Sequence, residues 1–278
     1  MDRAVLLEDV WKYFNSVPII KGISLEIGVG ELVYLVGPNG AGKTTLLKLI
    51  AGLELPDRGK VKVLELDTRS VRIQDLARYV GYVPQTPWYM FSEDSVEKEL
   101  IFTCRNLGYS ESLCLEKART IARELGIEHL LSESPYTLSE GQARIIAIAS
   151  ALVHEPKVLL LDEPTSALDH VSKERLIDVI ERIRSGRAIV IATHDLDLAT
   201  RLKPSRIVVL YEGRKILDTD YRGFIEVLPS LESYGIVLPD TVKAMLWLLG
   251  SYGLSLDVDD AIDALYRDRD RVCTQITD

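Results

Sequence analysis

The chain has 278 residues, a formal net charge of −9, 47% hydrophobic residues and 27% charged residues. This is ordinary for a globular protein, with enough length for one or two domains around a sizeable core. The acid excess argues against a general nucleic-acid binder, and no apolar run approaches the about 20 residues that a membrane-spanning helix needs.

In chain order, Val5–Val10, Ile23–Ile27 and Leu32–Val36 read as short strands, with Gly28 and Gly30 marking turns. Residues 37–53 read as a glycine-rich loop followed by a helix, 56–60 as a turn, and VKVLEL at 61–66 alternates like one strand. YVGYVPQ at 79–85 is a further buried strand. From about 86 to 155 the pattern is mostly helical, with Val96, Leu100 and Ile101 on one face and a second helix near 115–126 closed by Gly126. Strands return at VLLLDEP (158–164), AIVIAT (188–193) and RIVVLYEG (206–213). Apolar strands alternating with helices predict a largely parallel sheet covered on both faces.

The tail differs in character. Val242, Met245, Leu246 and Leu249 make one helical face, begun by Pro239-Asp240 and ended by Gly250; Val258, Ile262, Leu265 and Tyr266 make a second. The expected division is an α/β unit over 1–230, with a helical insertion over about 86–155, and a helical extension over 231–278 that either packs as a hairpin or pairs two copies. The opening MDRAVLLEDV does not have the pattern of a signal peptide. Cys104, Cys114 and Cys273 read as unpaired thiols of a reducing compartment, and the four histidines show no metal-ligand spacing.

The chemistry begins at GPNGAGKTT, residues 37–45. Between a strand and a helix, Gly37, Gly40 and Gly42 let successive N–H groups turn inward on phosphate oxygens, and the helix N-terminus adds partial positive charge. Pro38, Asn39, Ala41 and Thr45 complete the cradle. Lys43 reaches the terminal phosphates, and the Thr44 hydroxyl is suited to ligate Mg²⁺. Downstream, four buried residues lead to Asp162 at a strand's carboxyl end, where it can hold Mg²⁺, and Glu163 follows as a base for water. LSEGQ at 138–142 contains a capping box, Ser139 with Gln142, that opens a helix running to about His154. With Gly141 it makes a second anion-receiving helix start.

The set GPNGAGKTT, Gln85, LSEGQ, VLLLDEPTSALD and His194 resembles the nucleotide-binding domain of ATP-binding-cassette (ABC) proteins, over residues 1 to about 225. The resemblance implies an ABC-type P-loop fold: a mostly parallel sheet core, an antiparallel β subdomain, a helical insertion and a C-terminal helical extension. It implies ATP and Mg²⁺ as cofactors and head-to-tail pairing with a second ATPase subunit, identical or paralogous. Each ATP then lies between Lys43 and Thr44 of one subunit and Ser139 and Gly141 of the other. Gln85 contacts Mg²⁺ or the attacking water, Asp169 crosses the interface, His194 contacts the γ-phosphate, and Phe14 stacks on adenine. Duller roles are open for several of them: Gln85 as a strand end, His194-Asp195 as a helix cap, Phe14 as core.

A closer likeness is to the ATPases of energy-coupling-factor importers of vitamins or transition-metal ions such as cobalt and nickel. It rests on 91–108, 134–139 and 238–256. It implies a transmembrane coupling subunit, a substrate-binding membrane protein, no nucleic acid, and a peripheral place at the cytoplasmic face of the membrane. Trp88, Tyr89, Met90 and Phe91 are candidates for the docking contact or for core. Two residues depart from the usual signature: Glu140 replaces a glycine and is expected to point outward, and Ile145, beside Arg144, replaces an arginine. The other readings are another class of ABC transporter and a soluble ABC machine; the chain lacks the long coiled coil, zinc cysteines or second cassette usual in the latter.

Overall fold

The computed structural model describes residues 3–236. In chain order the first strands are β1 (Arg3–Phe14), β2 (Val17–Gly28), β3 (Leu32–Val36), β4 (Arg58–Val63) and β5 (Leu66–Asp67). They are followed by β6 (Val80–Val83), β7 (Val158–Asp162), β8 (Ala188–Thr193), β9 (Arg206–Tyr211) and β10 (Arg214–Thr219). The helices are α1 (Lys43–Ile50), α2 (Ile73–Leu76), α3 (Val96–Asn106) and α4 (Glu111–Leu125). Then come α5 (Glu140–Leu152), α6 (His170–Ile183), α7 (Leu196–Leu202) and α8 (Tyr221–Leu231).

Two sheets form among the described residues. One is antiparallel with order β2-β1-β4-β5; the other has order β10-β9-β3-β8-β7-β6, parallel except for the β10 edge. β1 and β2 are longer than their apolar patterns suggest. Asn15 and Ser16 both take positive φ (47° and 65°) and close a two-residue turn whose twist suits a hairpin, so pairing runs out to Phe14 and Val17. The 61–66 stretch is not one strand: Leu64 and Glu65, with φ of 46° and 68°, turn it back from β4 into β5. The expected turn over 56–60 already enters β4. Likewise Glu212 and Gly213 end β9 and start β10, a strand the sequence reading did not separate.

β3, β7 and β8 are buried along their whole length, as strands covered on both faces must be. The period-2 alternation of β3 sorts its side chains between two cores. Leu32, Tyr34 and Val36 join the core with α3 to α8, while Val33 and Leu35 join the core with α1 and the antiparallel sheet. β3, β6, β7 and β8 are parallel neighbours in one sheet, with Val36 beside Thr193, Asp162 beside Ala192 and Val83 beside Leu161. Their carboxyl ends therefore share one edge, which is where α/β sheets bind ligands.

Between β6 and β7, α3, α4 and α5 pack on one another. Val96, Leu100 and Ile101 are buried, as their spacing predicts. α4 starts earlier than the expected 115, because the Ser110 hydroxyl accepts from the Leu113 N–H; it ends at Gly126 in the left-handed conformation. Cys104 and Cys114 are joined in a disulfide with a Cα–Cα separation of 5.8 Å, which corrects the expectation of unpaired thiols. The short link from α3 to α4 folds one helix back on the other and brings residues ten apart face to face. The helices expected over 239–266, and Cys273, lie outside the described residues.

Candidate functional site

Residues 39–45 of the glycine-rich loop form the floor of a cavity of about 450 Å³, bordered by Phe14 and Ile19 on one side and by Gln85, Glu163 and His194 on the other. Two glycines of the loop have no substitute. A Cβ on Gly37 would lie 2.3 Å from the Leu210 carbonyl oxygen of β9. Gly42 has φ of 102° and packs so closely that a Cβ would meet Ile20 Cδ1 at 2.8 Å. Gly42 also caps α1, so the unpaired N–H groups of the first turn face the cavity. Gly37 and Pro38 lie behind it, in a second cavity of about 170 Å³ shared with His194, Gly235 and Ile236.

At the carboxyl end of β7 a chain of polar contacts closes the cavity. Lys43 Nζ donates to the Gly37 carbonyl at 2.6 Å and lies 3.3 Å from Glu163 Oε1. The other Glu163 oxygen stands 2.8 Å from His194 Nδ1 and accepts the His194 backbone N–H at 3.3 Å. The Glu163 side chain is almost fully buried, and its φ of 46° is left-handed, a strain of about 1–3 kcal/mol that a bulky residue carries only where its surroundings impose it. The Glu163 N–H donates to Ala192 O at 2.7 Å, which ties this turn to β8. The Thr44 hydroxyl donates to Asp162 Oδ1 at 3.1 Å. Burial pushes the Asp162 carboxyl above the usual range; the Thr44 hydrogen bond opposes this and the neighbouring Glu163 charge adds to it.

Phe14 is 42% exposed, so it is not core; its ring edges the cavity, with Lys12 Nζ 5.1 Å from the ring centroid. The signature residues do not line this cavity. Ser139 and Gln142 form a capping box at the start of α5: Gln142 N–H donates to Ser139 Oγ at 3.3 Å, and Ser139 N–H donates to Gln142 Oε1 at 2.9 Å. A Cβ on Gly141 would meet Ser172 Oγ of α6 at 2.5 Å, so this glycine is also demanded by packing within the chain. Asp169 caps α6, accepting from the Ser172 N–H at 2.8 Å and from its hydroxyl at 3.2 Å. These hydrogen bonds hold the Asp169 carboxyl below the usual carboxylate range.

The structure adds residues that the sequence reading missed. Tyr82 in β6 donates its hydroxyl to Asp162 Oδ2 at 3.4 Å; burial, chiefly, and the Asp162 charge raise its pKa. Ile19 of β2 lines the cavity beside Phe14. Neither carries a local sequence signal, because both depend on which strands become neighbours. Of the aromatic run after Gln85, Phe91 is buried, Trp88 and Met90 are partly buried against the core, and Tyr89 is 86% exposed. Glu140 does not simply point outward. Its carboxylate turns back to Arg144 and to the Trp88 indole N–H.

Residues 20–166 match the ABC transporter family profile. The chain belongs to the ABC transporter family. It is an ATP-binding ATPase of that family, coupled to transport, and it resembles the energy-coupling-factor subgroup. An energy-coupling factor transporter ATP-binding protein, EcfA1, of Halalkalibacterium halodurans is 32% identical over 276 residues, covering 96% of this chain and 98% of that one. CbiO1 of Clostridium perfringens, part of the ABC transporter complex cbiONQ, superimposes with a TM-score of 0.75 at 29% identity, over 88% of this chain and 99% of that one. The cassette MJ0796, seen as a dimer in a post-hydrolysis state bound to ADP and Pi, superimposes with a TM-score of 0.70 at 26% identity, over 79% of this chain and all (100%) of that one.

Proposed function

We propose that this ABC ATPase energises an importer of the energy-coupling-factor type, for a vitamin or a transition-metal ion such as cobalt or nickel. The observation that carries this reading is the full-length likeness to the EcfA1 relative, which spans 96% of the chain and therefore reaches into the tail beyond residue 236. The likeness to CbiO1 supports it. The proposed organisation is an ATPase unit over 1–230 with its helical part over about 86–155, and an extension over 231–278 that helps to pair subunits.

The cavity suits ATP. Its floor offers backbone N–H groups and Lys43 to phosphates, and the exposed Phe14 ring at its edge offers a stacking face to adenine. Mg²⁺ fits the oxygen donors of Thr44 and Asp162, with Gln85 at the cavity wall. The ion supplies neutralisation of phosphate charge.

The Lys43–Glu163 pair changes partners on binding. Lys43 turns to the terminal phosphates, and the Glu163 carboxylate is released to orient a water and take its proton as the water oxygen attacks the γ-phosphorus. ADP leaves with the bridging oxygen. His194, held against Glu163, is placed to contact the γ-phosphate. Ser139 and Gly141 lie away from this cavity, and the first-turn N–H groups of α5 receive the nucleotide of a second subunit, with Asp169 at the seam. The partners are that second ATPase subunit, a transmembrane coupling subunit and a substrate-binding membrane protein. Among the described residues no helix is long and apolar enough to cross a membrane, and the proposed place is peripheral, at the cytoplasmic face.

The test is purification of the tagged chain from its own membranes with identification of what accompanies it. Co-purification of a polytopic subunit, together with ATP-driven uptake of cobalt, nickel or a vitamin by reconstituted vesicles, is the expected result. Nucleic acid or ribosomes in the preparation, with no polytopic protein, would overturn the importer reading.

A further inference from the structure

The residue that replaces the signature glycine contacts two side chains, one of them far from it in sequence. Glu140 Oε2 accepts from the Trp88 indole Nε1–H at 3.3 Å, and Glu140 Oε1 lies 3.5 Å from Arg144 NH2. Trp88 precedes Glu140 by 52 residues and sits in the segment just after Gln85. Its ring is fixed edge-on against Phe91, with centroids 5.8 Å apart. The Arg144 side chain is 1% exposed, and its NH1 donates to the Pro84 carbonyl at 3.2 Å, next to Gln85. Glu140 is the carboxylate within ion-pair distance of this buried guanidinium among the described residues. Meanwhile, among the described residues, the Ser139 hydroxyl is engaged by the N–H of its own capping box, and the helix start beside it keeps its positive end.

A carboxylate at the first turn of a helix that receives phosphate is a liability, because a free anion there repels the incoming one. We infer that Trp88 and Arg144 form a clamp on the Glu140 carboxylate, holding it off the α5 N-terminus so that this end can accept the nucleotide of a second copy of the chain. Both are positioning residues acting through Glu140. The inference rests on the proposed pairing of two subunits across nucleotide. It explains how an acidic residue is compatible with this position, and why a buried arginine one place before the usual one accompanies it. The clamp also fastens the segment after Gln85 to the start of α5, so the two move as a unit.

The test uses the purified full chain with Mg²⁺ and a non-hydrolysable ATP analogue. Two quantities are read: analogue binding at a protein concentration too low for pairing, and analogue-dependent self-association by analytical ultracentrifugation. Trp88→Phe keeps the ring and removes the N–H. It is expected to leave analogue binding unchanged and to weaken self-association about tenfold. Glu140→Gln removes the charge and leaves one carbonyl oxygen, which can still accept from one of the two partners. In that background Trp88→Phe is expected to change self-association by less than about twofold, a coupling between residues in contact. Equal weakening by Trp88→Phe with and without Glu140→Gln would show a plain packing role and overturn the clamp, as would no weakening at all. If the unsubstituted chain binds the analogue but does not self-associate, the pairing reading fails first and the clamp falls with it; that outcome is recognised without any variant. Melting of each variant checks that the fold is kept.

Discussion

Two helix starts in this protein are built from similar residues and end up in different situations. α1 begins after Gly42 with Lys43 and Thr44, and a wall rises around it from β1, β2 and the residues that follow β6, β7 and β8. α5 begins after Ser139 with Gly141 near its start, and its polar groups look to a capping box, to α6 and to Trp88 rather than to a cavity. A helix N-terminus supplies a partial positive charge in either case. The surroundings decide whether that charge faces a cavity within the chain or is left for the proposed half-site between chains. The first has Glu163 and the Phe14 ring around it and, beside it, the Thr44 and Asp162 oxygens; among the described residues the second start lines no such cavity.

The sharpest way to break this contrast is at the complete end. Glu163→Gln keeps the shape of the side chain and removes the base, so ATP turnover is expected to fall about 10²–10⁴-fold while ATP binding persists. Steady-state phosphate release and equilibrium nucleotide binding read the two separately, and turnover near the original rate would remove Glu163 from its role.

The far end of α5 offers a pH probe of how the signature helix is anchored. His154 is buried beyond its last turn, and burial, chiefly, lowers its pKa from 6.5 to about 4. The folded state therefore prefers the neutral ring, and the unfolded chain takes up the proton first. Stability from this group is full above about pH 6.5 and is lost as pH falls toward 4, by up to about 3 kcal/mol. Urea midpoints at several pH values should show this decline, and His154→Gln should flatten it.

Phe14→Ala tests the wall of the first site. Loss of one stacking face is expected to weaken ATP binding about tenfold, with little change in melting temperature because the ring is exposed. Titration with a fluorescent ATP analogue measures it. The last effect belongs to the second start. Ser139→Ala removes a cap worth about 1 kcal/mol. It should leave single-subunit ATP binding untouched yet slow turnover at concentrations where subunits pair. A loss of nucleotide binding in the dilute variant would mean that α5 serves the cavity of its own chain after all.

The phosphate loop, the Asp162-Glu163 pair and the capping box were legible in the sequence because each is a local device: glycines at set spacings, acids after an apolar strand, Ser139 three residues before Gln142. Apolar strands alternating with helices pointed to the parallel sheet. What the local pattern left open was everything that depends on partners far away in sequence. The long β1–β2 hairpin needed the Asn15-Ser16 turn geometry, and β10 needed the turn at Glu212-Gly213. Cys104 met Cys114 only when α4 folded back on α3.

The sequence by itself determined the chemistry available to this protein, because side-chain identity and short-range spacing specify which groups can cradle phosphate, hold a cation or accept a proton. Only the tertiary structure decided how those groups are engaged. Sheet order set Lys43 and His194 on opposite oxygens of Glu163, and brought the Tyr82 hydroxyl to Asp162. The packing of the 86–91 segment on α5 turned Glu140 away from the helix start toward Trp88 and Arg144. The reason is physical: contacts between residues tens of positions apart are fixed by the shared burial of the elements that carry them, and no local pattern records that.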